Sequence, residues 1–177
     1  NWDMAAYDGW LERFRLPREK KFKAFSRGMA MKLGIAVALS HNARLLLLDE
    51  ATSGLDPMVR DELLEVFADF ASREDHAVLL SSHIVSDLEK ICDYIAFLHR
   101  GKLKLCEEKD VLLDRYGLLK CTREALDQVD PAAVHGRRVT AYGAEALVER
   151  NRVPGGLLVE RATLEDIILY LVKEETR

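Results

Sequence analysis

The sequence predicts an α/β layer fold with parallel core strands, followed by a small α+β unit. Two short apolar runs, Leu45 to Leu48 and Ala77 to Leu80, read as strands buried on both faces. They alternate with stretches of helical period, and strand, helix, strand in that order is the pattern of a parallel layer. From Gly117 onward the segments shorten and the chain changes character, which marks the second unit. The expected organisation is therefore 1–116 for the main layer and 117–177 for the appended unit.

Taken in order, Asp8 is a plausible cap for a short helix carrying Trp10, Leu11 and Phe14 and stopped by Pro17. A basic run, Arg18 to Lys23, follows. Met29, Leu33, Ala36 and Val37 then recur at helical spacing, so a helix opens at Ser26 and runs to about Ser40. After the Leu45 strand and the turn Ser53-Gly54-Leu55-Asp56-Pro57, the residues Val59, Leu63, Val66, Phe67 and Phe70 mark an amphipathic helix. Ser86 and Glu89 have capping-box spacing for a helix after the Ala77 strand. Tyr94 to Leu98 and Lys102 to Leu105 read as a hairpin turning at Arg100-Gly101, with a helix over 107–115. At the end, Thr163 and Asp166 cap a helix whose apolar face is Leu164, Ile167, Ile168, Leu171 and Val172.

Composition narrows the function. The 177 residues are 49% hydrophobic and 32% charged, which fits a folded chain, and no apolar run approaches the roughly 20 residues that span a bilayer. Twenty-six basic and 30 acidic residues leave a net charge of −4, against the basic excess of a nucleic-acid binder. Cys92, Cys106 and Cys121 are odd in number and form no C-x-x-C pair, which argues for a reducing compartment and against a disulfide framework or zinc site. No signal peptide is visible, and the chain opens at Asn1 rather than methionine, as an excised piece of a longer protein would.

The chemistry concentrates at strand ends. Asp49 and Glu50 follow the first strand directly, so one carboxylate can hold a cation while the other faces solvent. In phosphoryl-transfer proteins such an aspartate binds Mg²⁺ and a neighbouring acid positions water. By itself the pair is as well explained by a strand reaching solvent. Phe25-Ser26-Arg27-Gly28-Met29 puts a hydroxyl and a glycine at a helix start, where free N–H groups and the dipole favour an anion. Ser26 serves equally as a plain cap. His83 ends the second strand, which brings it towards Asp49 and Glu50 at the sheet edge where α/β ligands bind.

Together FSRGM, LLLLDE, SGLDP and SSH, in this order and spacing, resemble the back half of the ATPase domain of ATP-binding cassette (ABC) transporters. The resemblance covers about 1–116 and implies an incomplete P-loop NTPase domain with a helical signature segment. The ending Ala162 to Ile167 further resembles the subgroup serving drug and antibiotic-peptide exporters. It implies that Asp49 binds Mg²⁺, that Glu50 is general base or water-positioner, and that His83 contacts the γ-phosphate. Ser26, Arg27, Gly28 and Met29 form the signature, acting on ATP held by a second ATPase domain in a homo- or heterodimer, and Asp56 lies in the D-loop at that interface. Implied partners are transmembrane permease subunits, with the ATPase peripheral on the cytoplasmic face and no nucleic acid involved.

Arg27, Met29 and Ala51 depart from the commoner pattern without removing a catalytic group, and Arg27 is expected to face solvent. The phosphate cradle G-x-x-x-x-G-K-[ST] does not occur: Gly101-Lys102 is followed by Leu103 and has Ala96 where the first glycine belongs. Two readings stay open. One is a carboxyl-terminal piece of an ATPase that is inactive alone, and the other is a non-catalytic assembly or regulatory module. A DNA-repair or chromosome-organising ATPase is disfavoured by the lack of a heptad arm or basic stripe.

Overall fold

A computed structural model describes residues 2–174. They form two compact units, Asn1–Asp87 and Leu88–Arg177. The division therefore falls before the hairpin, earlier than the expected boundary at 116/117. The reason lies in the second unit, where α5 (Lys109–Arg115) packs against both β5 (Tyr116–Cys121) and α7 (Leu164–Glu174).

In the first unit, α1 spans Met4–Arg13 and α2 spans Arg27–Leu39, with a 3₁₀ turn at Phe22–Ala24 between them. Asp3, not Asp8, caps α1, its Oδ1 accepting from the Ala6 N–H at 2.9 Å. Asp8 sits inside the helix and pairs with Arg18 at 2.6 Å instead. The helix gives way at Phe14 and Arg15, whose φ of +54° leaves the helical region well before Pro17. α2 opens at Ser26 as expected.

Next come β1 (Leu45–Asp49), α3 (Pro57–Ala71) and β2 (Ala77–Ser81). The strands are parallel neighbours, with Leu45 opposite Ala77 and Asp49 opposite Ser81. α3 buries Leu63, Leu64, Val66, Phe67 and Phe70, and fixed-φ Pro57 occupies its first turn behind the cap Asp56. The strands are not buried on both faces. Leu46 is buried, but Leu45, Leu47 and Leu79 are 53%, 70% and 66% exposed. Alternate residues of a strand face opposite ways, and α3 supplies a helical layer for one face of this two-stranded sheet.

α4 (Val85–Ile91) straddles the division between the units. The expected Ser86–Glu89 capping box does not form, because the helix already begins at Val85 and the Glu89 carboxylate accepts from the Leu164 N–H at 2.9 Å. In the second unit β3 (Tyr94–His99) and β4 (Lys102–Glu108) make the antiparallel hairpin. Its turn residues Arg100 and Gly101 have φ of +47° and +73°, the positive values of a two-residue turn that matches strand twist.

β5, β6 (Val134–Thr140), β7 (Gly143–Glu149) and β8 (Val159–Arg161) form an antiparallel sheet in the order β6-β7-β5-β8. The short helix α6 (Arg123–Leu126) and the 3₁₀ turns at Pro131–Ala133 and Arg150–Arg152 connect them. One apolar cluster gathers Leu119, Leu126, Val129, Ala133, Ala144, Ala146 and Val148. α7 is capped reciprocally as its spacing predicts, Thr163 Oγ1 accepting from the Asp166 N–H at 3.1 Å and Asp166 Oδ2 from the Thr163 N–H at 2.9 Å. Its most buried positions are Leu164, Ile167 and Tyr170; the last was not among the residues read from periodicity. No described helix is long and apolar enough to cross a membrane.

Candidate functional site

The parallel pairing of β1 with β2 ends on Asp49 beside Ser81, and the site grows from that register. Ser81 Oγ–H donates to Asp49 Oδ1, so the carboxylate is oriented by the neighbouring strand. The Glu50 N–H bonds the Ser81 carbonyl at 3.1 Å, which holds the next residue at the same edge. There the backbone turns: Glu50 has φ of +50°, a left-handed conformation uncommon for a side-chain-bearing residue and concentrated at functional sites. The acid pair is thus separated by a backbone bend, not by strand alternation alone.

That bend delivers the Glu50 carboxylate to His83, Oε2 to Nδ1 at 2.5 Å. Both side chains keep solvent access, 42% for Glu50 and 66% for His83. Ser82 Oγ accepts from the Ile84 N–H at 3.0 Å and tightens the turn that presents the histidine. A carboxylate bonded to an imidazole at the carboxyl end of parallel strands, with a second oriented carboxylate adjacent, can move a proton at an attacking water.

The signature residues gather at the start of α2. Ser26 Oγ accepts from the Met29 N–H at 3.2 Å. Arg27 is exposed but does not simply project into solvent, since a Cβ built on Gly54 would lie 2.6 Å from its Nη1. Its guanidinium therefore lies over the loop that follows the acid pair. Gly28 faces Val59 of α3, with 3.4 Å from its ideal Cβ position to Val59 Cγ1. The Lys20 ammonium lies 4.0 Å from Met29 Sδ. Asp56 caps α3, its Oδ1 accepting from the Val59 N–H at 3.1 Å. The structure thus brings Glu50 to His83 and the signature to the loop carrying Gly54, while Ser26 and Asp56 each close their own helix.

Two features escape sequence reasoning. Ser81 is visible only as the first serine of SSH, and its role appears once the register is known. Thr52, Arg60 and Asp87 form a polar cluster around the buried Asp87 carboxylate, and it carries no local signature.

Oxygen donors are the chemistry on offer for a cation. Among the described residues no group of three or more His, Cys, Asp and Glu side chains could hold a metal ion. Asp49 with Ser81 suits a hard ion that takes one or two protein oxygens and completes its shell with water and phosphate, as Mg²⁺ does.

The fold is an incomplete α/β layer domain with an acid pair and a histidine at the carboxyl ends of its parallel strands. The ABC transporter family model matches residues 2–53. The lantibiotic transport ATP-binding protein SrtF of Streptococcus pyogenes is 44% identical over 92 residues, covering 52% of this chain and 40% of that protein. The bacitracin transport ATP-binding protein BcrA of Bacillus licheniformis is 41% identical over 100 residues, 55% and 33% of the respective chains. The dimeric structure of a post-hydrolysis state of the ATP-binding cassette MJ0796 bound to ADP and Pi superposes with a TM-score of 0.52 at 20% identity, over 57% of this chain and 44% of that one. The chain is similar to ABC transporter ATP-binding proteins over part of its length and spans less than half the length of these relatives.

Proposed function

We propose that the protein hydrolyses ATP to power export through membrane-embedded permease subunits, docked on them from the cytoplasmic side. The hydrogen-bonded pair Glu50–His83, beside the oriented Asp49, carries the reading. Glu50 takes the proton of the attacking water as its oxygen bonds the γ-phosphorus and the bond to ADP breaks. His83, engaged through Nδ1, turns Nε2 towards the γ-phosphate. Asp49 would hold Mg²⁺, which would supply positive charge against the phosphates.

The start of α2, with Ser26, Arg27, Gly28 and Met29, receives the γ-phosphate of ATP held by a second ATPase domain, and Asp56 lies at the junction of the two. Sequestering the nucleotide between subunits suits a reaction driven by positioning and electrostatics. The relatives named for lantibiotic and bacitracin transport support an antibiotic peptide as cargo. Taken alone, this chain binds MgATP very weakly, because a phosphate cradle is missing from its sequence. Phosphate release by the full-length protein, with and without a chelator, tests the reading. Mg²⁺-dependent turnover is expected; turnover indifferent to chelation, or none in the presence of the permease, overturns it.

A further inference from the structure

The loop joining Glu50 to the Asp56 cap contains a side chain that the proposed chemistry leaves unused. Thr52 is fully buried, and so, at 1% exposure, is Asp87. Thr52 Oγ1 donates to Asp87 Oδ2 at 2.7 Å. The other oxygen, Oδ1, receives Arg60 Nε at 2.6 Å, with Nη2 of the same guanidinium at 2.5 Å. Nη2 also donates to Ser86 Oγ at 3.0 Å. One carboxylate therefore joins three segments.

Each segment carries a residue of the candidate site. Thr52 lies two positions after Glu50, Arg60 four after Asp56, and Asp87 four after His83. Burying a carboxylate is costly even with a partly exposed guanidinium beside it, and apolar side chains of similar volume fill such a space as well or better. Directional bonds do what apolar packing does not: they fix the relative position of the segments they join. The cluster bridges the chain after Glu50 to the chain after His83, and those two side chains meet at 2.5 Å.

We infer that Thr52, Arg60 and Asp87 are positioning residues, a clamp closed on the buried Asp87 carboxylate that holds Glu50 and His83 in register. The inference rests on the ATPase reading for its kinetic consequence and on geometry alone for its structural one. It touches no substrate, so its loss acts on kcat and spares the KM for ATP.

The discriminating pair is Thr52→Val, which keeps the shape and removes the hydroxyl, against Thr52→Ser, which keeps the hydroxyl and removes a methyl group. In the full-length protein Thr52→Val is expected to lower kcat about tenfold with KM changed less than about twofold, as misplacement of a catalytic pair does, while Thr52→Ser stays within about twofold of wild type. A packing role reverses that order. Arg60→Lys, which retains the charge and loses the fork, gives a second folded variant with an intermediate fall in kcat.

The imidazole NMR resonances of His83 supply a readout independent of turnover. They are expected to move in Thr52→Val and Arg60→Lys and to stay in place in Thr52→Ser. If the wild type hydrolyses no ATP, the ATPase reading fails and these resonances still decide the clamp. Unmoved resonances in folded Thr52→Val and Arg60→Lys, or a Thr52→Ser enzyme slower than Thr52→Val, overturn it.

Discussion

Replacing Gly28 with alanine separates what the fold requires from what a ligand would require. Gly28 is the second residue of α2 and has ordinary helical backbone, so its conformation does not demand glycine. An added Cβ would meet Val59 Cγ1 at 3.4 Å, Cγ2 at 3.7 Å and Cβ at 3.9 Å, which are normal contacts. Alanine outranks glycine by about 0.8 to 1.0 kcal/mol inside a helix; in the first turn about half of that is expected, a gain near 0.5 kcal/mol. For a chain of 177 residues or more this raises Tm by about 1 to 2 °C.

If a phosphate approaches the N–H groups of this turn, the same methyl obstructs it, and turnover falls by at least about tenfold, the cost of displacing a ligand from one good hydrogen bond to a charged group. Gly54 supplies the contrast. Its φ of +67° and the 2.6 Å from its ideal Cβ to Arg27 Nη1 mean that Gly54→Ala destabilises, by about 1 to 2 kcal/mol for the backbone conformation alone. Thermal unfolding and steady-state ATP turnover of the full-length variants provide the comparison. A Gly28→Ala protein less stable than wild type by more than about 1 kcal/mol would assign the glycine to the fold, and unchanged turnover would remove the signature role.

Two further outcomes follow from the second unit. Thr163→Ala and Asp166→Ala each break the reciprocal cap of α7 and should lower stability by about 1 kcal/mol in urea unfolding; a loss below a few tenths refutes the cap's contribution. Burial of the Tyr170 phenol, and then its hydrogen bond to Glu145, raise its pKa above the ordinary value. The folded state therefore holds that proton more tightly than the unfolded chain, so the contribution is complete below about pH 10 and is lost as pH rises through the raised folded value. Urea unfolding at pH 8 and 11 should show a smaller alkaline loss in Tyr170→Phe than in wild type, and equal losses would refute the assignment.

What the sequence makes legible is local chemistry. Ser26 and Thr163-Asp166 announce helix starts through side chains that bond backbone only a few residues away, and each forms as the spacing implies. Locality is not enough at the first helix: Asp8 has the residue type of a cap, yet Arg18 pairs with it inside the helix and Asp3 caps instead. Capping-box spacing at Ser86 and Glu89 fails for a similar reason, since Ser86 is drawn to Arg60 and Glu89 to the Leu164 N–H, 75 positions along the chain.

The site divides the same way. That His83 would approach Glu50 follows from two strands ending together in a parallel layer. The left-handed turn at Glu50, the Ser81–Asp49 bond and the Thr52–Asp87–Arg60 cluster depend on register and burial, which no short motif encodes. Arg27 shows the same limit, because only the fold lays its guanidinium over Gly54. The exposed face of Leu45, Leu47 and Leu79 is a third case: an all-leucine run states that a strand is apolar and leaves open how many layers cover it.

Glu50 is the group proposed to activate water. Turnover of the full-length Glu50→Gln protein at saturating MgATP, measured beside its nucleotide affinity, tests this most directly. A fall of at least about 100-fold in kcat is expected, the lower bound of a general base's contribution, with affinity held within about threefold. Turnover within a few-fold of wild type would contradict it.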